Sequence, residues 1–171
     1  MKPHFMMFAA YNRWANERLY DVAQAMSDAD YRMDKGAFFG SLHQTLNHIL
    51  VADRIWMHRF TGEGPAPTQL DAILYDKLGD LKNARVAEDK RIIGYIDGLS
   101  ENDIASNFTY RTISNPQDIT QPLAPALAHF FNHQTHHRGQ AHATVTALAG
   151  RDAMPSLDLL QFQRQTGVGL S

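Results

Sequence analysis

The sequence predicts an all-α fold: a four-helix bundle with a small hairpin or extended loop before its last long helix. Three observations predict it. Four long stretches place apolar residues three or four positions apart, the period of an amphipathic helix. Clusters of Gly, Pro, Ser and Asn separate these stretches. Only residues 107–120 show the two-residue alternation of a strand. Four such helices in 171 residues suit one bundle domain spanning 1–171, with no internal repeat and no linker.

The first helix runs from about Pro3 to Met26, with Phe8, Tyr11, Ala15, Leu19, Val22 and Met26 on one face. A connector from Ser27 follows, containing Gly36 and Gly40. Ser41 caps the second helix, and Gln44 three residues on completes a capping box. Its face reads Leu42, Leu46, Ile49, Trp56, Phe60, and Gly62, Gly64, Pro65 and Pro67 end it. The third helix is expected over roughly Asp71 to Leu99, although Arg85 and Glu88 interrupt its apolar stripe. Phe108 and Tyr110 then alternate with polar residues before a turn at Ser114, Asn115 and Pro116. The fourth long helix starts between Pro122 and Pro125 and closes at Gly150. Ser156 is expected to cap a short last helix, Leu157 to Gln165.

Composition removes several classes of function. A net charge of −2 and thinly spread Lys and Arg leave no basic footprint for nucleic acid or anionic membrane. The chain has no Cys, which excludes disulfides, Cys-ligated zinc, iron–sulfur clusters and a thiol nucleophile of its own. The apolar patch from Phe5 to Ala10 is too short for a signal peptide, and no stretch approaches the ~18 apolar residues of a membrane span. A soluble, cytoplasmic protein is expected.

Histidine is the unusual component. Five of the nine fall between His129 and His142 on the fourth helix. His129, His133 and His137 recur every four residues, so neighbours in that series lie side by side. All three cannot share one ion, because i and i+8 are about 12 Å apart along the axis; another helix must contribute. The apolar arc of the fourth helix is centred on Leu127, Phe131, Ala141 and Val145. His137 sits at its edge and His133 just beyond, whereas His129 and His136 turn outward. On the second helix His48 edges the arc of Leu42, Ile49, Ala52 and Trp56, with His43 and His58 placed less well. His48, His133 and His137 therefore form the expected metal site, of the three-His type that leaves coordination positions open. His4, His58, His129, His136 and His142 read as solvated surface.

Other site chemistries fail on sequence. Neither His129 nor His133 is followed by Glu, so there is no HExxH. None of the four Glu has a His three residues later, as di-iron bundles need. No phosphate loop or Gly-x-Ser-x-Gly elbow occurs. Two charges lie on apolar arcs, Asp53 and Arg138. Burial of a charge is costly unless it is paired, so the two are expected to meet, or to orient a metal histidine.

His133-Gln-Thr-His-His137-Arg138-Gly139-Gln140 resembles the HxxxHRGQ signature of the DinB / YfiT-like family. Asn47-His48, with Asp53 and Trp56 following, is similar to that family's first metal histidine and its surroundings. Tyr11-Asn12-Arg13-Trp14-Ala15-Asn16 and Leu157-Asp158 match as well, so the resemblance covers nearly the whole chain. It implies an up-down-down-up bundle and a DNA-damage-inducible metalloenzyme group. It also implies a homodimer, to which outward aromatics such as Trp14 and Tyr20 would contribute. The implied cofactor is a divalent metal, zinc first, with nickel or iron as alternatives.

The function expected is thiol-dependent S-transfer to small electrophiles at that metal, since some relatives use bacillithiol or mycothiol. The partners expected are a small-molecule substrate, a low-molecular-weight thiol and a second copy of the chain. Metal-dependent hydrolysis and a non-catalytic, metal-binding stress-response role are the alternatives. Asp53, Arg138, Gln140 and Asp158 are the candidates to support a metal histidine or a bound ligand.

Overall fold

A computed structural model describes residues 1–112 and 116–170. The turn expected at Ser114 and Asn115 lies outside the described residues. The four long helices are α1 (Lys2–Ala25), α3 (Leu42–Thr61), α4 (Leu78–Gly98) and α6 (Leu123–Ala149). Short helices α2 (Asp28–Arg32), α5 (Glu101–Ala105) and α7 (Leu159–Thr166) join or cover them. Strands β1 (Asn107–Arg111) and β2 (Asp118–Pro122) make the expected hairpin. No helix among the described residues is long and apolar enough to cross a membrane.

Local chemistry explains most of the boundaries. Ser41 and Gln44 form both arms of the capping box that starts α3, and left-handed Gly62 (φ 73°) ends it. Pro122 is the N-cap of α6, where a missing N–H costs nothing. The third long helix begins at Leu78, later than the sequence suggests. The Asn47 amide holds both the N–H and the carbonyl of Tyr75, and Arg32 takes the Asp76 carbonyl. With these backbone groups claimed by side chains, residues 71–77 pack as loop. The last helix starts at Leu159, because Asp158 rather than Ser156 accepts the first free N–H, from Leu160 at 2.7 Å. The connector and the end of the third segment also contain α2 and α5, each capped by a serine (Ser27, Ser100) that receives the N–H three residues on.

Apolar packing fixes the direction of each helix. One cluster joins Leu19 and Ala23 near the end of α1, Leu42 and Leu46 at the start of α3, Leu81 at the start of α4 and Val145 near the end of α6. The opposite cluster joins Phe5 and Ala9, Met57, Ile92 and Ile96, and Leu127 and Phe130. Thus α1 and α6 run one way and α3 and α4 the other, which is the up-down-down-up order. Each fully buried Leu or Ile contributes about 1.5–3 kcal/mol. A third cluster lays Phe162 of α7 against Met7, Tyr11 and Ala15 of α1. It also packs on Trp14, which stays half-buried at the surface, whereas Tyr20 is buried and does not project outward as the sequence pattern suggests.

Between the two apolar clusters lies a polar layer. Asn12 and Asn16 of α1, Asp53 of α3, Arg85 and Asp89 of α4, and Gln134 and Arg138 of α6 are all buried. The histidines meet at this same level, in the seam between α3 and α6.

Candidate metal centre

Three imidazoles converge where α3 packs on α6. His48 Nε2 lies 3.3 Å from His137 Nε2, which lies 3.1 Å from His133 Nε2. The ligand atoms of all three fall within 4.8 Å of one another. Nitrogens each about 2.0–2.1 Å from a common zinc are about 3.3 Å apart in a tetrahedron and about 3.0 Å in an octahedral face, so the separations from His137 to His48 and to His133 fit a shared divalent ion. His48 and His137 are buried and His133 is partly open.

The hydrogen bonds behind the rings decide what the ring nitrogens present. His48 Nδ1 is 2.7 Å from the Leu70 carbonyl, which only accepts, so the proton sits on Nδ1. His137 Nδ1 likewise donates to Gln140 Oε1 at 2.8 Å. A neutral ring protonated at Nδ1 offers its lone pair at Nε2. Two lone pairs therefore face each other at 3.3 Å, an arrangement that repels unless a cation lies between them. Carbonyl support of the far nitrogen is also how proteins orient metal-bound histidines.

Electrostatics act the same way. Burial lowers the His48 pKa to about 4, helped by His137 and opposed by the Leu70 hydrogen bond. Burial lowers that of His133 to about 3, with the neighbouring histidines adding to it. His137 is also lowered, chiefly by burial. The rings are neutral at pH 7, the state a metal ligand needs.

Phe39, from the connector before α3, stacks on His48 with centroids 3.8 Å apart and planes at 22°, and also touches His137. Sequence reasoning missed it; its only signal was an aromatic residue in a glycine-bounded connector.

The four supporting candidates separate. Gln140 touches the cluster through His137 and passes a second hydrogen bond to His136. Asp158 is exposed and caps α7. The direct pair expected between Asp53 and Arg138 is replaced by a network. Asp53 binds Arg85 at 2.5 Å and the Gln134 amide at 2.9 Å. Arg85 also reaches Asp89, which accepts from Asn12 and Asn16. Arg138 donates to Asn12, and to Thr135 at 3.3 Å. Arg85, one turn from Asp89 on α4, outcompetes Arg138 for the carboxylates. Burial pushes Asp53 up to about 6 against the pull of Arg85, still below neutrality, so the pair is ionised at pH 7.

A sequence profile described as the DinB family matches residues 1–167. Protein DinB of Bacillus subtilis (strain 168) is 25% identical over 165 residues, covering 91% of this chain and 92% of its own. The crystal structure of a conserved protein from Enterococcus faecalis superposes with a TM-score of 0.64 at 14% identity, covering 84% of this chain and 96% of that one; this likeness concerns the fold.

Proposed function

The chain belongs to the DinB family, and we propose from that premise that His48, His133 and His137 bind one divalent metal, zinc first, at which an external thiol is activated for transfer to a small electrophile. The convergence of three neutral imidazoles, with their Nε2 atoms turned together, carries this reading. His48, His133 and His137 would hold a divalent ion as neutral ligands, leaving it the charge that would favour the thiolate form of an external thiol.

The chain's own residues do the rest. Leu70 and Gln140 hold the His48 and His137 rings in register, and Phe39 shields the back of His48 from water. The protein has no Cys, so the nucleophilic sulfur must arrive from outside. Hydrolysis needs a general base beside the ion. Of the two carboxylates among the supporting candidates, Asp53 is engaged by Arg85 and Gln134, and Asp158 by its cap. This favours thiol transfer. A homodimer belongs to the proposal, supported by an open apolar groove of about 540 Å³ along α1 and α6 lined by Phe5, Phe8, Ala128 and Phe131.

Cobalt-substituted protein titrated with a low-molecular-weight thiol tests the reading. A sulfur-to-metal charge-transfer band is expected, absent in His137→Ala. A silent spectrum, combined with ester or amide turnover that rises through one pKa near ~7, would install hydrolysis instead. If neither signal occurs, the non-catalytic metal-binding role remains.

A further inference from the structure

One turn of α6 before His133, a cleft of about 340 Å³ opens between the β1–β2 hairpin and the seam of α3 and α6. It is lined by Trp56, Tyr110, Gln121, Pro125, Ala126 and His129. The hairpin register brings its polar and aromatic members together. Phe108 and Tyr110 share one face of β1 as i and i+2; Phe108 packs on Phe60, and Tyr110 lies against Trp56 with centroids 5.5 Å apart. His129 completes the wall, 5.1 Å from Trp56 and 6.0 Å from His133, ring centre to ring centre. The cleft thus adjoins the metal cluster through one imidazole.

A cation stands beside this aromatic wall. The Arg59 guanidinium lies 4.6 Å from the Trp56 ring centre and 4.7 Å from that of Tyr110. It makes no ion pair or hydrogen bond among the described residues, and its Nε is buried without a partner. Every other partly buried arginine of α3 and α4 has a carboxylate: Arg54 has Glu88, Arg85 has Asp53 and Asp89, and Arg91 has Glu88. The charge of Arg59 is uncompensated, so the aromatic wall carries a positive field.

We propose that this cleft seats the organic acceptor of the reaction, a small planar carboxylate whose flat part stacks on one of the two rings, Trp56 or Tyr110, and whose charge is drawn by Arg59. The two rings are inclined at 55°, and Arg59 touches both from outside the cleft lining. Aromatic faces select a flat, conjugated molecule, and an unpaired guanidinium selects an anion. Gln121 and His129 supply hydrogen bonds that orient it with its far end towards His133. The identity of this site as the acceptor's rests on the thiol-transfer reading; its preference for a planar anion does not.

The test uses metal-free protein carrying Trp14→Phe, in which Trp56 is the remaining indole. Titration with trans-cinnamate should quench Trp56 fluorescence saturably. The uncharged amide of the same shape, trans-cinnamamide, should bind about tenfold more weakly. Arg59→Gln should erase that preference, and Arg59→Lys should keep most of it. Calorimetry on the unmodified chain should give the same ranking. If Arg59 serves only packing, its replacement lowers stability and leaves the ratio unchanged, which overturns the proposal. Equal affinity for acid and amide in the parent protein does the same. Cinnamate binding that requires zinc and disappears in His133→Ala would place the carboxylate on the metal, overturning the cleft while leaving the metal site intact. Selective binding without any metal affinity would keep the cleft and remove the thiol-transfer reading.

Discussion

Two polar regions share the middle layer of this bundle, and they are built to opposite rules. On the α1–α4 side, Asp53, Arg85, Asp89 and Arg138 balance two negative charges with two positive ones, and Asn12, Asn16 and Gln134 fill in further bonds. In the α3–α6 seam, His48 and His137 turn lone pairs towards each other, with His133 beside them and no acid or cation among the three rings. The first region pairs its charges within the chain, although Arg85 Nε, Arg138 Nε and Gln134 Oε1 stay without a hydrogen-bond partner among the described residues; the second is a set of facing acceptors that we propose a cation joins. A buried polar cluster therefore points to a ligand when its acceptors face one another with no donor between them.

The largest effect should come from breaking the closed region. Arg85→Met leaves Asp53 and Asp89 buried beside lost partners and should cost about 3–5 kcal/mol in denaturant unfolding. A loss under about 1 kcal/mol would mean that water already reaches the layer.

The open region should respond to its missing component. Zinc at one hundred times its Kd should stabilise the metal-free protein by about 2.7 kcal/mol, read as a rise in Tm. His133→Ala should show no such rise; an equal rise would place the metal elsewhere.

A double-mutant cycle sharpens the line between the two regions. Asp53→Asn and Arg138→Met share no direct bond but join the same network through Asn12, Asn16, Asp89 and Arg85. Their coupling should be about 0.5–1 kcal/mol. Strict additivity would show that the layer is two separate pairs.

The last effect is the pH response of the metal-free protein, which develops only below neutrality. His48 and His133 have folded pKa values depressed from 6.5 to about 4 and about 3. Below about pH 6.5 the unfolded chain takes up protons that the folded chain refuses, so stability falls as pH drops through that window. His48→Gln should flatten the fall in Tm between about pH 6.5 and 4. An unchanged slope would mean that the ring is already solvated.

Much of this was legible from residue spacing. The capping box at Ser41 and Gln44, the glycine stop at Gly62, and the alternation of Phe108 and Tyr110 all act locally and appear as read. The meeting of His48 with His133 and His137 was legible too, because each edges the apolar arc of its helix. What sequence spacing could not carry was competition between distant groups. Asn47 captures Tyr75 across 28 residues and delays α4. Arg85 takes Asp53 from Arg138, although its break in the third helix's stripe was the available clue. Phe39 reaches His48 from a connector with no period to read.

We propose the three-imidazole cluster as a metal site whose ligands are His48, His133 and His137. The most direct measurement is metal content per chain in protein purified without an affinity tag, for the parent and single alanine variants. One divalent ion per chain is expected in the parent, His129→Ala and His136→Ala, and none in His48→Ala and His133→Ala. Full occupancy in His133→Ala would contradict it.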